Sequence, residues 1–149
     1  MIKRIAVAGF AGAALLASAV AVAKGGGTAT FAPAGDLKWA DAPDRPGVKL
    51  AAVQGDPSKG PSHFFVKLPA GFSVGPHHHN ADHYSVVMSG TMVFNVDGQD
   101  HTLAAGSYFS FTGKKTHTTK CNDGAECVIF IDARGKWDVV EEKAPAPKK

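Results

Sequence analysis

The stretch GFSVGPHHHNADHYSVVMSG (residues 71–90) sets His77, His78, His79 and His83 within seven positions and brackets them with Gly71 and Gly90. A protein holds a transition metal by aiming three or four directional lone pairs at one point. In extended chain, residues i and i+2 project to the same side, so His77 and His79 converge while His78 points away. His83 shares their parity and joins them if the chain bends through Asn80-Ala81-Asp82 and re-enters a sheet at His83. A fourth candidate, His117, follows the turn Gly113-Lys114-Lys115, and the strand ending at Thr112 is expected beside the one that carries His77 and His79. The expected ligands are therefore His77, His79, His83 and His117. The competing reading, a polar loop that takes up metal adventitiously, lacks this geometric rationale.

Outward from the cluster the chain breaks into short apolar runs. They are residues 37–40, 48–53, 63–68, 83–88, 92–96, 107–112, 127–131 and 137–140, too short for helices and rich in Val, Phe, Ile and Tyr. Turn-forming residues separate them, and Asp97-Gly98 is the clearest hairpin signal, since a type I′ turn needs positive φ at both central positions. No 3.6-residue apolar stripe runs through residues 37–141, so the fold class is all-β, a sandwich or barrel. In 63–68, Phe64, Val66 and Leu68 share the core face. His63 then lies outside, and His101 beside Asp100 reads as another exposed strand residue.

The first 23 residues read as a signal peptide. Lys3 and Arg4 precede an uncharged run, Ile5 to Val22, and Ala21-Val22-Ala23 ends it with small residues where a signal peptidase cuts. A spanning helix is the competing reading, on length alone. Cleavage implies export, to the periplasm or, alternatively, to the medium, and no membrane attachment afterwards. It also removes two positive charges from the formal +3, and no basic run is interleaved with aromatics, so a nucleic-acid partner is excluded. Residues 24–36, opening on Gly25-Gly26-Gly27, are a flexible leader, and 142–149 a disordered tail. An oxidising compartment favours a Cys121–Cys127 disulfide, worth roughly 2 kcal/mol across so short a loop, over thiolate metal ligation.

Gly71-x5-His77-x-His79-x3-His83-x6-Gly90 resembles the first motif of the cupin superfamily, G-x5-H-x-H-x3-4-E-x6-G, with histidine in the glutamate position. The second motif, G-x5-P-x-G-x2-H-x3-N, is recognisable but altered. Gly106 opens it and His117 occupies its histidine, while Thr112, Lys114 and Cys121 stand at the proline, second glycine and asparagine positions. The resemblance implies a jelly-roll β-barrel of six to eight strands over residues 37–141, holding one divalent metal and open to a small-molecule substrate or ligand. It also implies a homodimer paired through sheet edges. A narrower likeness connects the chain with the anti-sigma-factor ChrR and small diketone or phenolic-ketone dioxygenases.

Histidine for glutamate removes an internal base and leaves the metal its full charge. Iron, zinc, copper, manganese and nickel are all admitted by the ligand set. Two functions follow. One is a metal-dependent, dioxygenase-like enzyme with Phe94, Phe109 and Phe130 as candidate cavity walls. The other is a metal- or ligand-binding sensor without catalysis, which the lack of an assignable acid or base would suit; Asp82 reads as solvated and Tyr84 as packed between sheets. Because imidazole must be neutral to ligate, metal affinity is expected to fall as pH drops through ~6.5.

Overall fold

The computed structural model describes residues 28–143. The signal-peptide segment and residues 144–149 of the expected tail lie outside the described residues. The chain divides into two units, 1–30 and 31–149; Thr28, Ala29 and Thr30, the described part of the first, are exposed coil. Among the described residues no helix is long and apolar enough to cross a membrane.

The second unit holds one 3-10 turn, Ala34–Asp36, and eleven strands. These are β1 (Ala40–Asp41), β2 (Lys49–Gly55), β3 (Ser62–Leu68), β4 (Ser73–His78), β5 (His83–Ser89), β6 (Thr91–Val96), β7 (Gln99–Ala104), β8 (Tyr108–Phe111), β9 (His117–Cys121), β10 (Cys127–Ala133) and β11 (Val140–Glu141). They form two antiparallel sheets, β1-β2-β3-β10-β5-β8 and β11-β4-β9-β6-β7. The strand count exceeds the expected six to eight because polar segments pair as well. β7 and β9 carry few large apolar residues, and their pairing with β6 rather than their composition makes them strands.

Alternation fixes the core. β3 buries Phe64, Val66 and Leu68, and β10 pairs with it in full register and buries Ile129 and Ile131. Facing them from the second sheet are Met92 and Phe94 of β6. His63 lies on the other side of β3, near Gln54 and Asp132. The Asp97-Gly98 turn has φ of 53° and 85°, as the hairpin between β6 and β7 requires.

Cys121 and Cys127 form a disulfide and are both fully buried. The bridge joins the end of β9 to the start of β10, and so ties one sheet to the other across residues 122–126. Against this corner packs Gly90, at φ 77° between β5 and β6.

Four sequence expectations are corrected. The strand ending near Thr112, β8, pairs with β5, not with the strand of His77; β9, which begins at His117, takes that place. Of the runs 37–40 and 137–140 only the last residue of each enters a strand, because Trp39 and Trp137 pack from loops. Tyr84 faces outward under the Arg134 guanidinium rather than between the sheets. Glu142, assigned to the tail, is held by its N–H donating to the Pro76 carbonyl at 2.8 Å.

A methyl group on Gly90 would lie 2.7 Å from the Glu126 carbonyl oxygen and 2.8 Å from the Cys127 sulfur, whereas at Gly98 it would meet nothing within 4 Å. Both positions have positive φ. Gly98→Ala should therefore cost about 1 kcal/mol from the left-handed backbone alone, and Gly90→Ala about twice that or more from the added clash. Denaturant melts of the two variants check the ranking; equal losses would refute the packing argument.

Candidate metal centre

Two strands of one sheet, β4 and β9, and one of the other, β5, supply the site. β4 ends in His77 and His78, and His79 follows it; His77 is directly paired with His117 at the start of β9. The chain then crosses to the other sheet through Asn80-Ala81-Asp82 and re-enters at His83, the first residue of β5. That crossing is pinned at several points. Asn80 donates its backbone N–H to Asp138 at 2.9 Å, Asp82 Oδ1 accepts the Gly113 N–H at 3.0 Å, and the Asp82 carbonyl accepts the Arg134 N–H at 2.9 Å. Asp82 is thus a structural acceptor rather than a merely solvated carboxylate.

His77, His79, His83 and His117 are all buried, while His78 turns outward, its Nδ1 2.6 Å from Glu142. The two-residue parity holds. Three of the four form one group. His77, His79 and His117 each place a ring nitrogen within 4.8 Å of the others. His83 stands next to His79, ring centres 4.8 Å apart, but outside that group.

The same three share a second property. His77 Nδ1 is 2.7 Å from the Gly75 carbonyl, His117 Nδ1 is 2.9 Å from the Lys115 carbonyl, and His79 Nδ1 meets the Asp138 carbonyl. A carbonyl can only accept, so each Nδ1 carries the proton and each Nε2 keeps its lone pair. His83 Nδ1 makes no hydrogen bond as well formed as these among the described residues, although the Ala81 backbone two residues earlier lies near enough to favour its protonated form.

Aromatic rings complete the surroundings. Phe111 stacks on His117 at 3.7 Å and 6°, and Trp137 stacks on His79 at 4.1 Å while presenting its edge to His83 at 5.1 Å. Removed from water, the imidazoles resist protonation. Burial, then the charge His83 would carry, pushes His79 down to about 2. Burial lowers His83 and His117 to about 4 each, and it lowers His77 too, with the nearby Arg45 charge contributing. At neutral pH all four are uncharged.

The donor set fits a divalent transition metal. Neutral, oriented imidazoles are what such an ion needs, and the Nδ1 carbonyl bonds are the usual support for ligating histidine. The rings open on a cavity of about 490 Å3 whose other walls are largely apolar, among them Phe72, Val74, Phe94, Phe109 and Ile129. Phe130 is not among them: it faces the opposite side of β10, edge-on to Phe65. The residues that sequence reasoning missed are Trp137, Asp138, Phe111 and Arg45. Trp137 and Phe111 were visible only as members of apolar runs, and Asp138 and Arg45 carried no signal, being single residues brought in from distant loops.

Two facing antiparallel sheets enclosing a histidine triad are the architecture of a cupin, and the chain carries a cupin domain. The family model described as Cupin domain matches residues 64–133. Among solved structures the chain is similar to the polyketide cyclase RemF from Streptomyces resistomycificus, with TM-score 0.66 and 14% identity over 80% of this chain and 89% of that one. It is also similar to KdgF from Halomonas sp., with TM-score 0.59 and 22% identity over 72% and 94%. A third likeness is to the Rhodobacter sphaeroides complex of SigE with the anti-sigma ChrR, with TM-score 0.54 and 20% identity over 68% of this chain and 51% of that one. At these identities the likeness is one of fold. No curated protein matches the sequence.

A depressed histidine pKa has a consequence for stability. The unfolded chain takes up protons near ~6.5 while the folded metal-free protein does not, so stability present above that pH is lost as pH falls toward about 4, where His83 and His117 titrate in the fold. Melting temperatures of metal-free protein should fall through that window, and His83→Gln should make the decline shallower. An unchanged slope would mean that His83 is not buried as a neutral ring.

Proposed function

We propose that this cupin is an exported metal-dependent enzyme acting on a small oxygenated organic molecule in a dioxygenase-like reaction. The observation that carries it is the juxtaposition of the neutral triad His77, His79 and His117 with a largely apolar cavity of about 490 Å3, a size that takes a small-molecule ligand. In this reading the triad holds the metal and His83 is its fourth ligand. A bound divalent metal supplies Lewis acidity toward a substrate oxygen and, if it is redox-active, electrons for chemistry with dioxygen.

The remaining work falls to the chain. The walls Phe72, Phe94, Phe109 and Ile129 exclude water and seat an apolar substrate body. Trp137 and Phe111 hold the His79 and His117 rings in plane by stacking. Of the carboxylates lining the cavity, Asp138 is occupied by Asn80 and Asp44 is exposed. Proton transfer by a cavity carboxylate therefore plays little part, and this favours a reaction driven by the metal. The same lack supports the second reading, a binding or sensing cupin whose metal is structural. The solved relatives span both classes by their descriptions, a polyketide cyclase and a DMSP lyase on one side and an anti-sigma on the other. Export to the periplasm rests on the signal-peptide reading of residues 1–23 alone, and a homodimer on the family resemblance.

The test is elemental analysis with electron paramagnetic resonance on untagged protein prepared from the periplasm, together with its intact mass. The expected result is a chain beginning at Lys24 with close to one transition metal. His79→Ala should weaken metal affinity by more than the ~10-fold that loss of a ligand's outer hydrogen-bond partner costs, and His78→Ala should keep it. Iron, copper or manganese would lead to oxygen-uptake assays with diketones and phenolic ketones. Zinc in a closed four-ligand site would favour the non-catalytic reading, and metal-free protein that takes up none would overturn both.

A further inference from the structure

Among the residues lining the cavity there is one lysine or arginine, Arg45. It lies in the loop between β1 and β2, which is held shut by the Ala42 N–H on the Val48 carbonyl at 2.8 Å and the Val48 N–H on the Arg45 carbonyl at 3.0 Å. The side chain is 28% exposed, and its one ion pair runs to Glu141 at 3.0 Å, a carboxylate itself 68% exposed. A guanidinium has five N–H donors in a planar fork that suits a carboxylate in bidentate fashion. A single contact to a largely solvated partner leaves most of that capacity unused. The other charged groups at the cavity do not absorb it: Asp138 is engaged by Asn80, and the Asp44 side chain makes no ion pair with Arg45 among the described residues.

Arg45 also lies close enough to the triad for its charge to act on His77. The cavity therefore carries one cation besides the imidazoles, and Phe72, Phe94, Phe109 and Ile129 are among its apolar walls. A ligand matching that pattern has an apolar body, an oxygen to present to the imidazole end, and an anionic group.

Resting on the metal-enzyme reading above, we propose that Arg45 is a specificity-determining residue that anchors a substrate carboxylate, which displaces Glu141 from the guanidinium when it binds. The substrate class narrows to apolar organic acids, as opposed to neutral ketones. Glu141 acts as an internal stand-in for the substrate's charge and keeps Arg45 oriented between turnovers.

The experiment compares 3-phenylpropanoate with its neutral isostere 3-phenylpropanamide, each titrated calorimetrically into the full-length protein as purified, into a chelator-treated sample, and into Arg45→Gln, Arg45→Lys and Glu141→Gln. Metal content and thermal melts are recorded on every preparation. Unmodified protein should prefer the acid by about tenfold, the worth of a charge-assisted pair. Arg45→Gln should abolish that preference with amide affinity and metal content unchanged, Arg45→Lys should retain part of it, and Glu141→Gln should increase it. Equal affinities for acid and amide in the unmodified protein, no binding of the acid, or a preference that survives Arg45→Gln would overturn the proposal. Chelation separates the two readings. A preference for the acid that persists without metal and vanishes in Arg45→Gln supports the anchor even if the metal-enzyme reading fails. One that vanishes on chelation and survives Arg45→Gln places the carboxylate at the metal end and sinks the anchor.

Discussion

A buried imidazole offers one nitrogen to a metal most readily when the other has somewhere to place its proton, and for the triad of this chain that need falls on backbone carbonyls. His77 and His117 meet it identically. They sit opposite each other across β4 and β9, and each turns its Nδ1 back to the carbonyl two residues earlier, Gly75 and Lys115. The pairing of β4 with β9 shifts register between Val74 and His77, so the site depends on a local irregularity in an otherwise regular ladder. Such bulges re-aim side chains where a site requires it. The third carbonyl, that of Asp138, comes from the segment after β10, and the sheet geometry alone would not supply it.

That segment ties the chemistry to the fold. Trp137 is anchored by its N–H on the Pro57 carbonyl at 2.8 Å and stacks on His79; Asp138 receives both His79 and Asn80; β11 pairs with β4, setting Val140 opposite His78 and Glu141 opposite His77. Glu142 then takes His78. Five of the six residues 137–142, all but Val139, thus bracket the HHH stretch from its inward and outward sides. The alternation of inward and outward histidines is stabilised from both sides, which is why His78 can stand between two buried rings without disturbing them.

The readable part of the molecule was the part governed by local rules. Strand parity placed His77 and His79 inward and His78 outward, and the Asp97-Gly98 turn and the face of β3 followed from two-residue alternation. The bend at Asn80-Ala81-Asp82 was required by the return of His83 to a sheet, and it is there. Misreadings arose where tertiary context decides. Phe130 has the composition of a core residue, but its parity on β10 puts it outside with Phe65. Trp137 and Arg45 lie 20 or more positions from each of the four buried histidines and reach the cavity through loops whose course no periodicity reports. β9 has the sequence His-Thr-Thr-Lys-Cys, too polar to announce a strand, and is one because β4 and β6 both pair with it.

Histidine at position 83 changes the energetics of the fold as well as the chemistry of the site. An ionised glutamate there, at 2% exposure and beside neutral rings, would be a buried charge without a partner until a metal arrived, at a cost of several kcal/mol (roughly, after relaxation). A carboxyl in that position would avoid the cost by taking up a proton, and metal would then have to displace it. Neutral imidazole carries no such penalty. Its desolvation is the modest one of an uncharged polar ring, and the pKa of about 4 reflects a side chain that stays neutral rather than one that must be compensated. With four neutral rings the metal-free fold contains no uncompensated charge at its centre, so folding and metal uptake are energetically separable. Histidine in place of glutamate gives up an internal base, and in exchange the chain can form its two sheets with no ion needed to balance a charge at their centre.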